Sequence, residues 1–157
     1  MNSERQGRDE VNLLTERQKE NAMRNAFLIV SALAISTSMF AQEEKDFQDW
    51  MKTTGATAGS LRKNLEAKNG EAAAGDAKKL QDVFTQVHDF WMKKKIDNAT
   101  KFASNAQNGF KEVGELATAG KFDEASATLK ATMAHCGGCH NAYREKAADG
   151  SWKIKYD

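Results

Sequence analysis

From residue 42 onward the sequence predicts an all-α chain, an antiparallel four-helix bundle. Three observations predict it. The chain has no proline, and this larger part of it is rich in Ala, Lys, Glu and Leu and poor in β-branched residues, the composition of helices. Apolar residues recur at three- and four-residue intervals in four separate stretches. The breaks between those stretches are short, which makes consecutive helices antiparallel neighbours.

The first helix runs from about Glu43 to Lys68, with Phe47, Trp50, Met51, Ala58, Leu61 and Leu65 on one stripe and Asn69-Gly70 as its stop. The second lies within Glu71 to about Lys94, with Asp76 as its N-cap and Leu80, Val83, Phe84, Val87 and Trp91 on its buried face. Lys93-Lys94-Lys95 reads as a solvated end, where cations suit the C-terminal dipole. The third runs from Asp97 or Asn98 to about Thr118. Its stripe is Ala99, Phe102, Ala106, Phe110, Val113 and Ala117, and Gly120 closes it. The fourth begins near Asp123 as N-cap, carries Ala125, Leu129, Met133, Cys136, Cys139, His140 and Tyr143, and fades around Asp149-Gly150. The tail from Ser151 to Asp157 holds Trp152 and Tyr156, and the sequence leaves open whether it folds back.

The fourth helix carries the most specific chemical signal, Cys136-Gly137-Gly138-Cys139-His140. Cys-x-x-Cys-His is the attachment sequence of a c-type haem. On a helix the two cysteines stand one turn apart on the same face, where both sulfurs reach the vinyl groups of one porphyrin. His140 follows on that face and serves as the proximal iron ligand. Gly137 and Gly138 leave room for the macrocycle beside the backbone. Two other readings compete, a reducible dithiol and half of a zinc site. The first expects a βαβ setting that the pattern lacks. The second needs further thiolates, and the chain has two cysteines in all.

Ahead of the helices, Ala26 to Ile35 is an apolar run with Arg24 before it and small residues after it, the layout of a secretory signal. It is short for a bilayer span. Residues 1–41 therefore read as an extension and signal peptide, cleaved after Ala41 or Ser38, with Met23 a plausible true start because Met1 to Ala22 carries five acidic residues. Residues 42–157 are one domain's length. That part holds 18 Lys+Arg against 17 Asp+Glu. So small an excess gives no basis for nucleic-acid binding, and the mature form is expected to span no membrane.

These residues give the chain a resemblance to the class II c-type cytochromes, the cytochrome c-prime family with its low-spin relatives. Three features carry it: the haem motif on the last helix, continuing as Cys139-His140-Asn-Ala-Tyr143-Arg144; the entry Gly120-Lys-Phe-Asp-Glu-Ala-Ser-Ala-Thr-Leu129; and Gln48 three residues before Met51, with Gly55 four after. The match covers Gln42 to about Ala148. It implies one covalent haem c, with Met51 as distal iron ligand opposite His140 and Gln48 near a propionate; Arg144 pairs either with a propionate or with the bundle, where packing and a surface salt bridge are the plain reading. A His/Met pair raises the reduction potential and closes the site to exchange, which suits electron transfer. Phe47 stands where the family often has arginine, and the connection between the second and third helices is shorter than the family's common loop.

The resemblance further implies a periplasmic carrier of single electrons between redox partner proteins, not an enzyme. It also implies pairing of two copies through the first two helices, with Phe90 or Trp91 in the contact. Two alternatives stand beside it. One is a five-coordinate high-spin relative that binds nitric oxide or carbon monoxide. The other is a non-haem dithiol or metal-binding helical module. Weaker candidates are His88, read as a surface histidine; His135, read as exposed; Trp50 and Trp91, read as core aromatics beside the haem; and Lys93 to Lys95, read as solvated rather than as a docking patch for an acidic partner.

Overall fold

The computed structural model describes residues 43–156. The expected signal peptide, its cleavage sites and the alternative start at Met23 lie outside the described residues. Four helices pack against one another: α1 (43–66), α2 (Gly70–Lys94), α3 (Asp97–Thr118) and α4 (Phe122–Tyr143). A two-stranded hairpin follows, β1 (Arg144–Lys146) and β2 (Trp152–Ile154). Among the described residues no helix is long and apolar enough to cross a membrane.

Side-chain contacts set each consecutive pair antiparallel. Phe47 near the start of α1 meets Phe90 near the end of α2 with ring centroids 4.6 Å apart, while Asn64 donates to Asp76 at 2.8 Å at the other end. Phe84 meets Phe110 at 5.2 Å, and Gln107 donates to Thr85 at 2.7 Å, which joins α2 to α3. Between α3 and α4, Gly109 lies against Thr132 and Gly138 against Phe102. The predicted stripes are the buried faces: Leu61, Leu80, Trp91, Phe110 and Val113 are the largest fully buried side chains. Each contributes about 1.5–3 kcal/mol by leaving water.

The helix ends differ from expectation in ways the caps explain. Asn69 opens α2 rather than stopping α1: its side-chain oxygen accepts from the Ala72 N–H at 3.2 Å. Asp76, expected as that cap, sits inside α2 and receives the Asn64 amide instead. α1 ends at Lys68, left-handed at φ 56°, with the Asn69 N–H reaching back to the Asn64 carbonyl. Gly120, at φ +73°, closes α3 as expected, its N–H on Ala117 and that of Lys121 on Leu116. Asp123 is not a cap. α4 starts at Phe122 after Lys121, and Asp123 and Glu124 occupy its first turn, where acids suit the dipole.

α4 does not fade toward residue 149. It stops at Tyr143, because Arg144 turns extended at φ −125°, ψ 131°. The chain then runs out as β1, turns through Asp149-Gly150 and returns as β2, antiparallel with Arg144 opposite Ile154 and Lys146 opposite Trp152. Gly150 takes φ +82°, and the Asp149 carboxylate accepts from the Ser151 N–H at 2.9 Å. The Lys155 N–H donates to the Tyr143 carbonyl and Tyr156 Oη to Glu44, so the tail spans from α4 back to α1.

Close approach of α3 and α4 depends on glycine. A Cβ on Gly109 would stand 2.1 Å from Thr132 Oγ1 and 2.8 Å from its Cγ2. Gly109→Ala should therefore destabilise the fold by about 1–3 kcal/mol in urea unfolding, with Thr132→Ala in the same chain recovering part of the loss.

Candidate functional site

One cleft gathers most of the residues singled out in the sequence. It holds about 680 Å³ and draws its walls from all four helices and the hairpin, within the usual range of ligand pockets. α4 contributes Met133, Cys136, Cys139, His140 and Tyr143; α1 contributes Gln48, Met51, Thr54, Ala58 and Gly59; α2 and α3 close it with Phe84, Val87, Trp91, Phe102 and Ala103. α4 is continuous through Cys-Gly-Gly-Cys-His, so helical periodicity places Cys136, Cys139 and His140 on one wall.

The remaining candidates divide. Gln48 lines the cleft, and one amide N–H makes a long contact, 3.5 Å, to the Trp152 carbonyl. Arg144 lines it from β1, with its guanidinium 3.8 Å over the Trp152 ring. His135 is half-buried at the cleft edge, not exposed as expected. Trp91 lines the cleft, whereas Trp50 is not in its wall and packs on Phe47 and Phe90. His88 lies outside and faces Asp89 at 3.1 Å. Lys94 is not simply solvated: it sits over the Phe90 and Tyr156 rings. Phe90 and Trp91 are 5% and 1% exposed, so neither offers surface for pairing two copies.

Of the motif glycines, Gly137 stands beside open space, where a Cβ would meet nothing within 4 Å, and Gly138 acts differently from expectation. A Cβ on Gly138 would stand 2.7 Å from the Phe102 ring, so that residue makes room for α3 and not for a ligand. The glycines that open onto the cleft are Gly55 and Gly59, four apart on α1, where a Cβ would meet nothing within 4 Å. Interior helical glycines cost about 0.5–1 kcal/mol each relative to alanine. A pair of them on one face of α1, beside open space, fits a broad flat occupant.

Polar groups on the wall fit the same occupant. Thr54 Oγ1 and Trp91 Nε1 are buried with no hydrogen-bond partner among the described residues. Thr85, Thr100, Thr118 and Thr132 each donate to the carbonyl four residues back, and Thr54 does not. Lys52, Arg62, Arg144 and Lys153 line the cleft, and no aspartate or glutamate does among the described residues. An apolar body with anionic groups matches such a wall. Thr54, Gly59, Arg62 and the hairpin escape a reading of the sequence alone; the helix-interior glycines spaced by four are the one local signal that points to them.

Electrostatics favour an uncharged wall behind the motif. Burial, and secondarily the Arg144 charge, lowers the His140 pKa and keeps its imidazole neutral, with a lone pair free for a metal. Cys136 and Cys139 are free thiols, and burial pushes both from 9.0 up to about 11. A redox dithiol works through a depressed pKa, the opposite of this setting. Among the described residues no group of three or more His, Cys, Asp or Glu side chains comes together to hold a metal. No family model, curated protein or solved structure matches the chain.

In the cofactor-free chain the thiols should therefore alkylate slowly. At pH 8 the thiolate fraction is about a hundredfold below that of an ordinary cysteine, and iodoacetamide labelling followed by mass spectrometry should show unfolding raising the rate. Unfolded thiols ionise near 9.0 and folded ones near 11. The unfolded chain thus releases protons first, and the stability of this cofactor-free fold should fall as pH rises from about 9 toward 11 in urea titrations.

Proposed function

We propose that the chain is an exported monohaem c-type cytochrome of the class II kind that carries single electrons between redox partner proteins and turns over no substrate of its own. The observation that carries this reading is the cleft itself, which brings Cys136, Cys139 and His140 from α4 together with Met51 from α1. Cys136 and Cys139 would hold haem c by thioether bonds, with His140 the proximal and Met51 the distal iron ligand. The haem supplies a reversible one-electron couple at its iron.

The chain's own residues set the conditions for that couple. Neutral His140 offers a nitrogen donor without first losing a proton. Met51, half-buried on α1, offers a thioether, a soft ligand that favours the reduced metal. Phe84, Val87, Phe102 and Met133 present an apolar wall, a surround that would further raise the potential. Lys52, Arg62, Arg144 and Lys153 would compensate the carboxylates of the macrocycle. An exported chain meets the compartment in which c-type haem is attached, in keeping with the apolar run from Ala26 to Ile35.

The test is the optical spectrum of the reduced protein, expressed with haem-maturation machinery, before and after carbon monoxide. Sharp, split visible bands that the gas leaves unmoved are expected, and Met51→Ala should convert them to a broad high-spin spectrum that moves. A wild-type spectrum that already responds to the gas would transfer the function to five-coordinate gas binding. Absence of acid-stable visible absorption, with two titratable thiols, would leave the dithiol module instead.

A further inference from the structure

The cations of the cleft wall are not equivalent. Lys52 pairs with Asp49 and Lys153 with Glu145, each at 2.9 Å. Arg62 and Arg144 make no ion pair among the described residues. Arg144 is nevertheless held in place. Its guanidinium lies 3.8 Å over the Trp152 ring, a contact that occupies the face of the planar group and leaves its edge N–H donors unspent.

Trp152 has no burial to explain it. It is 46% exposed, one of three large apolar side chains so placed among the described residues. Its backbone is fixed from two sides: β2 pairs with β1 so that Trp152 stands opposite Lys146, and its carbonyl accepts from Gln48 on α1. Lys146 adds a second cation 5.6 Å from the same ring. An exposed indole under a guanidinium, at the rim of an apolar cleft with no acidic wall residue among the described residues, holds a cation in place and is not a core contact.

We infer that Trp152 is a positioning residue that holds Arg144 as the receptor for a carboxylate of the macrocycle, so that the cofactor's acidic edge lies at the hairpin end of the cleft. The inference rests on the haem reading and deepens it: the hairpin belongs to the cofactor site. A carboxylate caught by the edge of a stacked guanidinium makes a directed, charge-assisted hydrogen bond, stronger than a contact with a freely rotating cation. The carboxylate is also held ionised, since a neighbouring cation lowers its pKa.

The test uses the full chain carrying Cys136→Ala and Cys139→Ala, titrated by visible absorbance with ferric protoporphyrin IX and with its dimethyl ester. The free acid should bind about tenfold or more tighter than the ester, the factor that one charge-assisted hydrogen bond supplies. Trp152→Ala and Arg144→Ala should lower that ratio several-fold, the other wall cations keeping part of it, and Trp152→Phe, which keeps a ring to stack on, should retain most of it. Because the ratio is taken within each variant, a general loosening of the cleft cancels. A Trp152→Ala chain that keeps the full preference overturns the inference.

The covalently loaded protein gives a second readout, the pH profile of its midpoint potential. Loss of the positioned cation raises the carboxylate pKa, so the pH-dependent step should move to higher pH in Trp152→Ala and stay in Trp152→Phe. A step unmoved in Trp152→Ala overturns the inference while leaving the haem function intact. A wild-type chain that acquires no covalent haem overturns both.

Discussion

The seating of Gly138 beneath the Phe102 ring is the contact on which the site depends. With no Cβ at that position α4 lies close against α3, and a Cβ there would stand 2.7 Å from the ring. This fixes the rotation of α4 about its own axis. With Gly138 turned to α3, the neighbouring Cys136, Cys139, His140 and Tyr143 line the cleft. Phe102 serves both sides, since the same ring forms part of the cleft wall. The glycine between the two cysteines is thus a helix-packing device, and the chemistry of its neighbours follows from that packing.

Glycine acts in two opposite ways in this bundle. At Gly70, Gly109 and Gly138 a Cβ would strike a neighbouring backbone or side chain, so these positions let helices approach. At Gly55 and Gly59 a Cβ would meet open space, so these positions hold nothing together within the chain. α3 buries four alanines, Ala99, Ala103, Ala106 and Ala117, beside Phe110 and Val113. The cleft opens where α1 presents glycines and the facing wall is aromatic.

Charge follows the same division. Among the described residues most ion pairs are exposed links three or four residues apart, such as Lys52 with Asp49 and Lys111 with Glu115, and each contributes little to stability. Among the described residues the cleft collects cations without acids. In a domain whose charges nearly balance, that segregation is a property of the site and not of composition. The hairpin adds to it, bringing Arg144 and Lys153 to the rim and tying the rim to α1 through Gln48 and Tyr156.

Local order was legible in the sequence. Helix periodicity joins residues three and four apart, so the four stripes, the Gly120 stop and the helical setting of Cys136, Cys139 and His140 could be read before any packing was known. The ends were less legible because caps compete: Asn69 outbid Asp76, and a left-handed Lys68 closed a helix where glycine is the usual choice. Which segments meet is a matter of tertiary structure. Only the fold decides that Gly138 faces Phe102 rather than the cleft, that His135 turns partly inward, that Phe90 and Trp91 are buried, and that the tail returns as a hairpin placing Trp152 under Arg144. Those contacts join residues far apart in the chain, and no periodicity records them.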